Sequence, residues 1–212
     1  MLRKLLTSIA CIAAFLAATS AFATTTYVHE YTGSGRGGHN KKLVCQPGEY
    51  SYKAVNVTAK AGSRVTVYEI FRAEANLAVE TRLTVRENAT VRLIQVQATQ
   101  PGSVLYNSVT GECADGGRSE LTQVLVGRGD VYCDSGVELN GRQSGLKAAI
   151  GYLGRESQKL DMNLVVNHWG KNTASEIDAS GALRDEAKKI FRGTIDFKRG
   201  SSDSVGNEKE TV

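Results

Sequence analysis

This 212-residue sequence predicts an all-β protein of short strands joined by tight turns. Three observations carry that expectation. Turn-forming residues recur at Gly62, Asn88, Gly102, Gly116, Gly129, Gly141, Gly154 and Gly170, spaced by 26, 14, 14, 13, 12, 13 and 16 residues. Between them apolar residues alternate with polar ones, the period-two pattern of a half-buried strand. Only two prolines occur, Pro47 and Pro101, and each precedes a glycine in a turn. Short strands at this spacing fit a sandwich or a barrel. A unit near 13 residues that doubles to 26 also fits a solenoid whose rungs carry two main strands. In a solenoid each rung buries its inward face only against its neighbours.

The chain divides into four parts. Residues 1–23 read as a secretory leader. Arg3 and Lys4 form a positive start, Ile9 to Ala18 is apolar but short for a bilayer span, and Ala21-Phe22-Ala23 has the form of a cleavage site. Residues 24–49 read as a Gly-rich linker. Gly33, Gly35 and Gly38 fit the spacing of a dinucleotide-binding fingerprint, but no helix opens after them, so a flexible spacer is the better reading. Residues 50–200 form the regular body, and residues 201–212 read as a polar C-terminal tail.

In the body, Val55, Val57 and Ala59 alternate with Asn56 and Thr58, and Val65 and Val67 with Thr66 and Tyr68. Leu83 and Val85 flank Thr84; Val91 and Leu93 flank Arg92. The best strand is Leu160–Val166, with Leu160, Met162, Leu164 and Val166 on one face. Phe191, Gly193, Ile195 and Phe197 share a face in the last apolar run. Ala182–Ile190 has helix-forming composition, with Asp185 and Lys189 four apart. The strands on both sides favour strand, turn, strand there. Val65, Val67, Leu83, Val91, Leu93, Leu160, Met162, Leu164, Ile195 and Phe197 are expected to point inward.

Charge excludes some functions. The 26 basic against 22 acidic residues give +4, and +2 without Arg3 and Lys4. No basic surplus argues for nucleic acid or an anionic membrane. Of four cysteines, Cys11 lies in the leader, and Cys45, Cys113 and Cys133 show no paired or zinc-type spacing. Cys113 and Cys133, 20 residues apart, could stack near one rung. They and His168 are the weak candidates for a metal. Buried inert thiols and a turn-capping histidine are the plainer readings. Arg128-Gly129-Asp130 spells a cell-attachment tripeptide at a place where a turn expects Gly and Asp anyway. Asp161, Glu176, Asp185 and Asp196 show no pairing for glycoside hydrolysis, and no nucleophile-elbow, metalloprotease or Walker A motif is present. A non-catalytic scaffold role is therefore the natural expectation.

One stretch carries a resemblance. Gly151–Gly154, Gln158, Asp161-Met162-Asn163, His168, Gly170, Thr173, Ser175, Ile177, Gly181, Leu183–Glu186, Lys189 and Phe191–Phe197 occur in one order. This run resembles the core of the SufB/SufD proteins of the SUF iron–sulfur cluster assembly system, the SufD side more closely. A weaker likeness reaches back to Val55. The resemblance implies a right-handed parallel β-helix, a cytoplasmic scaffold, and SufB-like and SufC-like (ATPase) partners. It also implies a cluster handled by the complex, with none bound by this chain alone. In the family the run continues to an H-G-A motif and a helical region, whereas this sequence stops at Val212. A β-helix cut there would leave an open end prone to self-association. No cluster ligand carries over to a residue here. The leader conflicts with a cytoplasmic site and supports an alternative, an exported β-solenoid that binds or cleaves polysaccharide. A lyase would need a carboxylate cluster for calcium and a basic residue.

Overall fold

The computed structural model describes residues 24–31, 51–72 and 74–212. They form thirteen strands and no helix. The strands are β1 (Thr24–Tyr31), β2 (Ser51–Ala59), β3 (Arg64–Phe71), β4 (Leu77–Val85), β5 (Thr90–Gln97), β6 (Val104–Cys113) and β7 (Arg118–Leu125). The chain continues through β8 (Asp130–Leu139), β9 (Gly145–Gly154), β10 (Lys159–His168), β11 (Ala174–Leu183), β12 (Lys188–Phe197) and β13 (Val205–Thr211). Odd-numbered strands make a seven-stranded sheet and even-numbered strands a six-stranded one. Each strand pairs in parallel with the strand two before it, as β5 does with β3 and β10 with β8. The chain changes sheet at every turn and climbs through about six coils as a β-solenoid. Two strands per coil account for the doubled spacing of the turn signals.

The inward columns are read straight from the register. Val55, Thr81, Val109, Ser135, Leu164 and Gly193 stand one above the other in the six-stranded sheet. Val65, Val91, Ser119, Leu146, Ser175 and Gly206 do so in the other sheet. Val65, Val67, Leu83, Val91, Leu93, Leu160, Met162 and Leu164 are buried, as their alternation predicts. At about 25 cal/mol per Å² of apolar area, this enclosed stack supplies the main driving force for the fold.

The turns stack as regularly as the strands. Gly62 N donates to Glu87 O at 2.8 Å, Asn88 N to Asp115 O at 2.8 Å and Gly116 N to Arg142 O at 2.8 Å. Gln143 N donates to Lys171 O at 2.9 Å and Asn172 N to Ser202 O at 2.9 Å. These five donors belong to left-handed residues, with φ between 52° and 70°. Gly141 is needed for a different reason: a Cβ there would lie 2.1 Å from the Ala114 backbone. Buried Ser63, Ser103 and Ser144 each return a hydroxyl hydrogen bond to the carbonyl three residues earlier, at 2.7, 2.6 and 2.8 Å. Arg128 and Gly129 lie in the bend between β7 and β8, and Asp130 opens β8.

The structure corrects three expectations. Residues 24–49 are not wholly linker, because Thr24–Tyr31 forms β1 in register with β3; its run of threonines favours extended backbone. The rest of that linker, the glycine fingerprint, Cys45 and the leader with Cys11 lie outside the described residues. Residues 201–212 are not a free tail, because β13 pairs with β11 from Val205 to Thr211. That strand has no apolar alternation, and the backbone ladder with β11 holds it. Finally, Phe197 faces inward but is 48 % exposed, and Ile195 is only half-buried. Among the described strands β12 is the outermost of its sheet, so none of them lies above these two side chains. Ala182–Ile190 is strand, turn and strand as expected, with Asp185 at φ 58° in the turn.

Candidate functional site

The two cysteines of the body do not meet. Cys113 pairs with Leu139 and Cys133 with Asn107, on adjacent strands but six positions apart along them. At about 3.3 Å per residue that is roughly 20 Å. They therefore do not stack, and both thiols are free and buried. Burial pushes each thiol up to about 12. A thiol held neutral in this way is a poor nucleophile and a poor ligand.

His168 is also enclosed. Its Nδ1 lies 2.6 Å from Thr173 Oγ1 and its Nε2 2.9 Å from Ser175 Oγ. Thr173 Oγ1 in turn meets Ser204 Oγ at 2.8 Å. The Phe197 ring covers the imidazole at 4.5 Å between centroids. Burial lowers the imidazole below its ordinary value, which favours the neutral ring. The expected turn cap through a backbone hydrogen bond is thus a side-chain bridge that ties β10 to β11 and the turn before it. Cys113 and His168 share one inward column, but Leu139 stands between them. Two strand spacings place them roughly 10 Å apart, too far to share an ion. Among the described residues no group of three His, Cys, Asp or Glu could hold a metal. The calcium cluster that a polysaccharide lyase needs is thus not among them.

A second polar cluster was not singled out from the sequence. Glu69 on β3 is fully buried. Thr81 Oγ1 lies 3.1 Å from both its carboxyl oxygens, and Gln95 Nε2 donates to Oε2 at 2.7 Å. Gln95 Oε1 accepts from Asn107 Nδ2 at 2.8 Å and from Gln123 Nε2 at 2.9 Å. Asn107 Nδ2 also approaches Cys133 Sγ at 3.9 Å. Five polar side chains from β3 to β7 thus satisfy one another inside the solenoid. Burial raises the Glu69 carboxyl to about 7, and its two hydrogen bonds offset only part of that. The signal was in the sequence: Glu69, Gln95 and Gln123 all occupy inward positions of alternating strands.

The outer face of the six-stranded sheet carries an open trough of about 550 Å³. Tyr106 and Tyr132 stack along it at 5.0 Å and 15°. Asn163 Nδ2 donates to Asp134 Oδ1 at 2.8 Å, and Arg192 pairs with Asp161. Of the other acids considered, Glu176 pairs with Lys147 at 3.1 Å and Asp196 with Lys198. These are cross-strand or local pairs that answer each other, with the modest energies of exposed ion pairs.

No curated protein matches the chain. A family model does, that of the SufBD core domain of SUF system FeS cluster assembly, over residues 42–212. The match spans the coils from β2 to β13, with both thiols, His168 and the Glu69 network. The chain therefore belongs to the SufBD core domain family of SUF iron–sulfur cluster assembly.

Proposed function

We propose that the chain is a SufD-like scaffold component of cluster assembly, without catalysis of its own. It works in the cytoplasm with SufB-like and SufC-like (ATPase) subunits, and the complex rather than this chain alone carries the cluster as cargo. The family match over residues 42–212 carries this reading. Closed thiols held near 12 and an imidazole engaged at both nitrogens support the scaffold role, since none is poised to ligate or attack. The free edges of β12 and β13 also suit association between copies. Ile190, Phe197 and Val205 are exposed there, beside unpaired backbone.

Anaerobic reconstitution with iron and sulfide tests the first part. The isolated chain should retain little iron and show no cluster absorbance. A stable stoichiometric cluster that disappears in Cys113→Ser or Cys133→Ser would overturn the scaffold reading. Co-expression with SufB-like and SufC-like subunits should yield a joint complex on size exclusion. Light scattering should find self-association of the isolated chain that Ile190→Lys weakens.

A further inference from the structure

We propose that Glu69 is a proton-binding group built into the solenoid interior, and that losing its proton loosens the coils around it. The side chain is fully buried, against Thr81 of β4 and Gln95 of β5, and a charge placed there has lost its water. Among the described residues its hydrogen-bond partners are a hydroxyl and an amide, both neutral. Among the described residues it makes no ion pair with Lys, Arg or His.

The surrounding groups are few. From β5 the facing residue is Gln95, and from β4 it is Thr81; neither titrates. On β1 the register partner of Glu69 is His29, the one titratable residue at that level of that strand. The network has little freedom to adapt. Gln95 spends its amide on Glu69 and Asn107, and its carbonyl accepts from Asn107 and Gln123. Turning Gln95 to meet a changed carboxyl would orphan at least one buried amide.

The protonated acid fits this setting. One oxygen accepts from Gln95 Nε2, and the other can carry the proton toward Thr81 Oγ1. On ionisation the proton passes to bulk water and leaves a buried carboxylate with two neutral donors. The coils must then open or admit water to solvate it.

The direction of the effect follows from linkage. The folded chain holds this proton up to about 7, against an ordinary value of 4.5. The unfolded chain therefore binds fewer protons between those values, and stability falls as pH rises. The contribution is fully present below 4.5 and is lost as pH rises through about 7. Within that window the folding equilibrium constant should drop roughly tenfold per pH unit from this group.

Two measurements on the full chain test the proposal. The first is the infrared carbonyl band of a protonated carboxyl, followed in heavy water across the pH range. The second is the urea midpoint across the same range, for the wild type, Glu69→Gln and His29→Gln. The expected result is a protonated-carboxyl band that persists well above 4.5, disappears near 7 and is missing in Glu69→Gln. The alkaline loss of stability should also vanish in Glu69→Gln and remain in His29→Gln. A pH dependence retained in Glu69→Gln but lost in His29→Gln would assign the proton to the histidine and overturn the proposal. If Glu69→Gln does not fold, the wild-type band decides alone: no protonated carboxyl above pH 5.5 overturns it, and one titrating near 7 upholds it.

Discussion

The interior enclosed by β3 to β8 and the interior enclosed by β9 to β13 are built from different chemistry. The first holds Glu69, Gln95, Asn107 and Gln123, joined by hydrogen bonds in a buried stack. The second passes from Ile150, Met162 and Leu164, with one enclosed polar bridge at His168, to a last coil where Lys189 pairs with Glu210. There Glu208 fills the space above Gly193. Both regions use the same coil and the same inward positions. What separates them is the number of coils that cover each position. Leu164 and Phe197 both face inward, yet one is 1 % exposed and the other 48 %. A polar group enclosed on all sides must be answered by partners fixed in place. A charged group at the uncovered end can be answered by water.

The comparison is sharpened most by truncating the covered position. Leu164→Ala should cost about 2–5 kcal/mol in urea unfolding, because coils above and below prevent collapse onto the cavity. A loss below about 0.5 kcal/mol would show that Leu164 is not enclosed. Phe197→Ala should cost less, about 1–2 kcal/mol, since that residue is already 48 % exposed.

Next in size are changes at rigid and at yielding glycines. Gly141→Ala places a methyl 2.1 Å from the Ala114 backbone and should cost about 1–3 kcal/mol by thermal unfolding. Gly193→Ala places one 2.3 Å from the Glu208 carboxylate, which can swing into solvent. Its cost should stay below about 1 kcal/mol. Equal losses would mean that β13 is held as rigidly as the enclosed coils.

Glu69 and His168, both buried, should respond to pH in opposite senses. His168 binds its proton less readily folded than unfolded, so its contribution to stability is lost as pH falls through and below the ordinary histidine value of 6.5. His168→Leu should remove that acid dependence. It should also cost about 1–3 kcal/mol near neutrality, by leaving the Thr173 and Ser175 hydroxyls without their partner. Below 6.5 the two dependences oppose each other in the wild type, so stability measured from pH 5 to 8 should show the acid arm alone in Glu69→Gln and the fall toward about 7 at its steepest in His168→Leu. An acid arm unchanged in His168→Leu would place it on another group.

Much of this architecture was legible along the chain. Period-two alternation assigned the inward face of β3, β5 and β10, because successive side chains on a strand must point to opposite sides. Turn residues near 13 and 26 residues apart fitted two strands per coil as well as a sandwich or barrel, and the family resemblance favoured the coil. The stretch from Gly151 to Phe197 carried the family, and the match over residues 42–212 bears that out. β1 and β13 were missed because their strand character comes from the ladder with β3 and β11 rather than from alternation of their own. The Glu69 network was missed because its members are 26 and 28 residues apart along each sheet and become neighbours only when the coils stack.

The sequence by itself determined which face each strand turns inward, because that depends on a period of two within a few residues. Only the tertiary structure decided what each inward side chain meets there. It separated Cys113 from Cys133, set Leu139 between Cys113 and His168, and gave His168 two hydroxyls to bridge. It also closed the interior over Glu69 and left it open over Phe197. The physical reason is that facing is a local property of the backbone. Burial, hydrogen-bond partners and proton affinity are set by the coils stacked above and below.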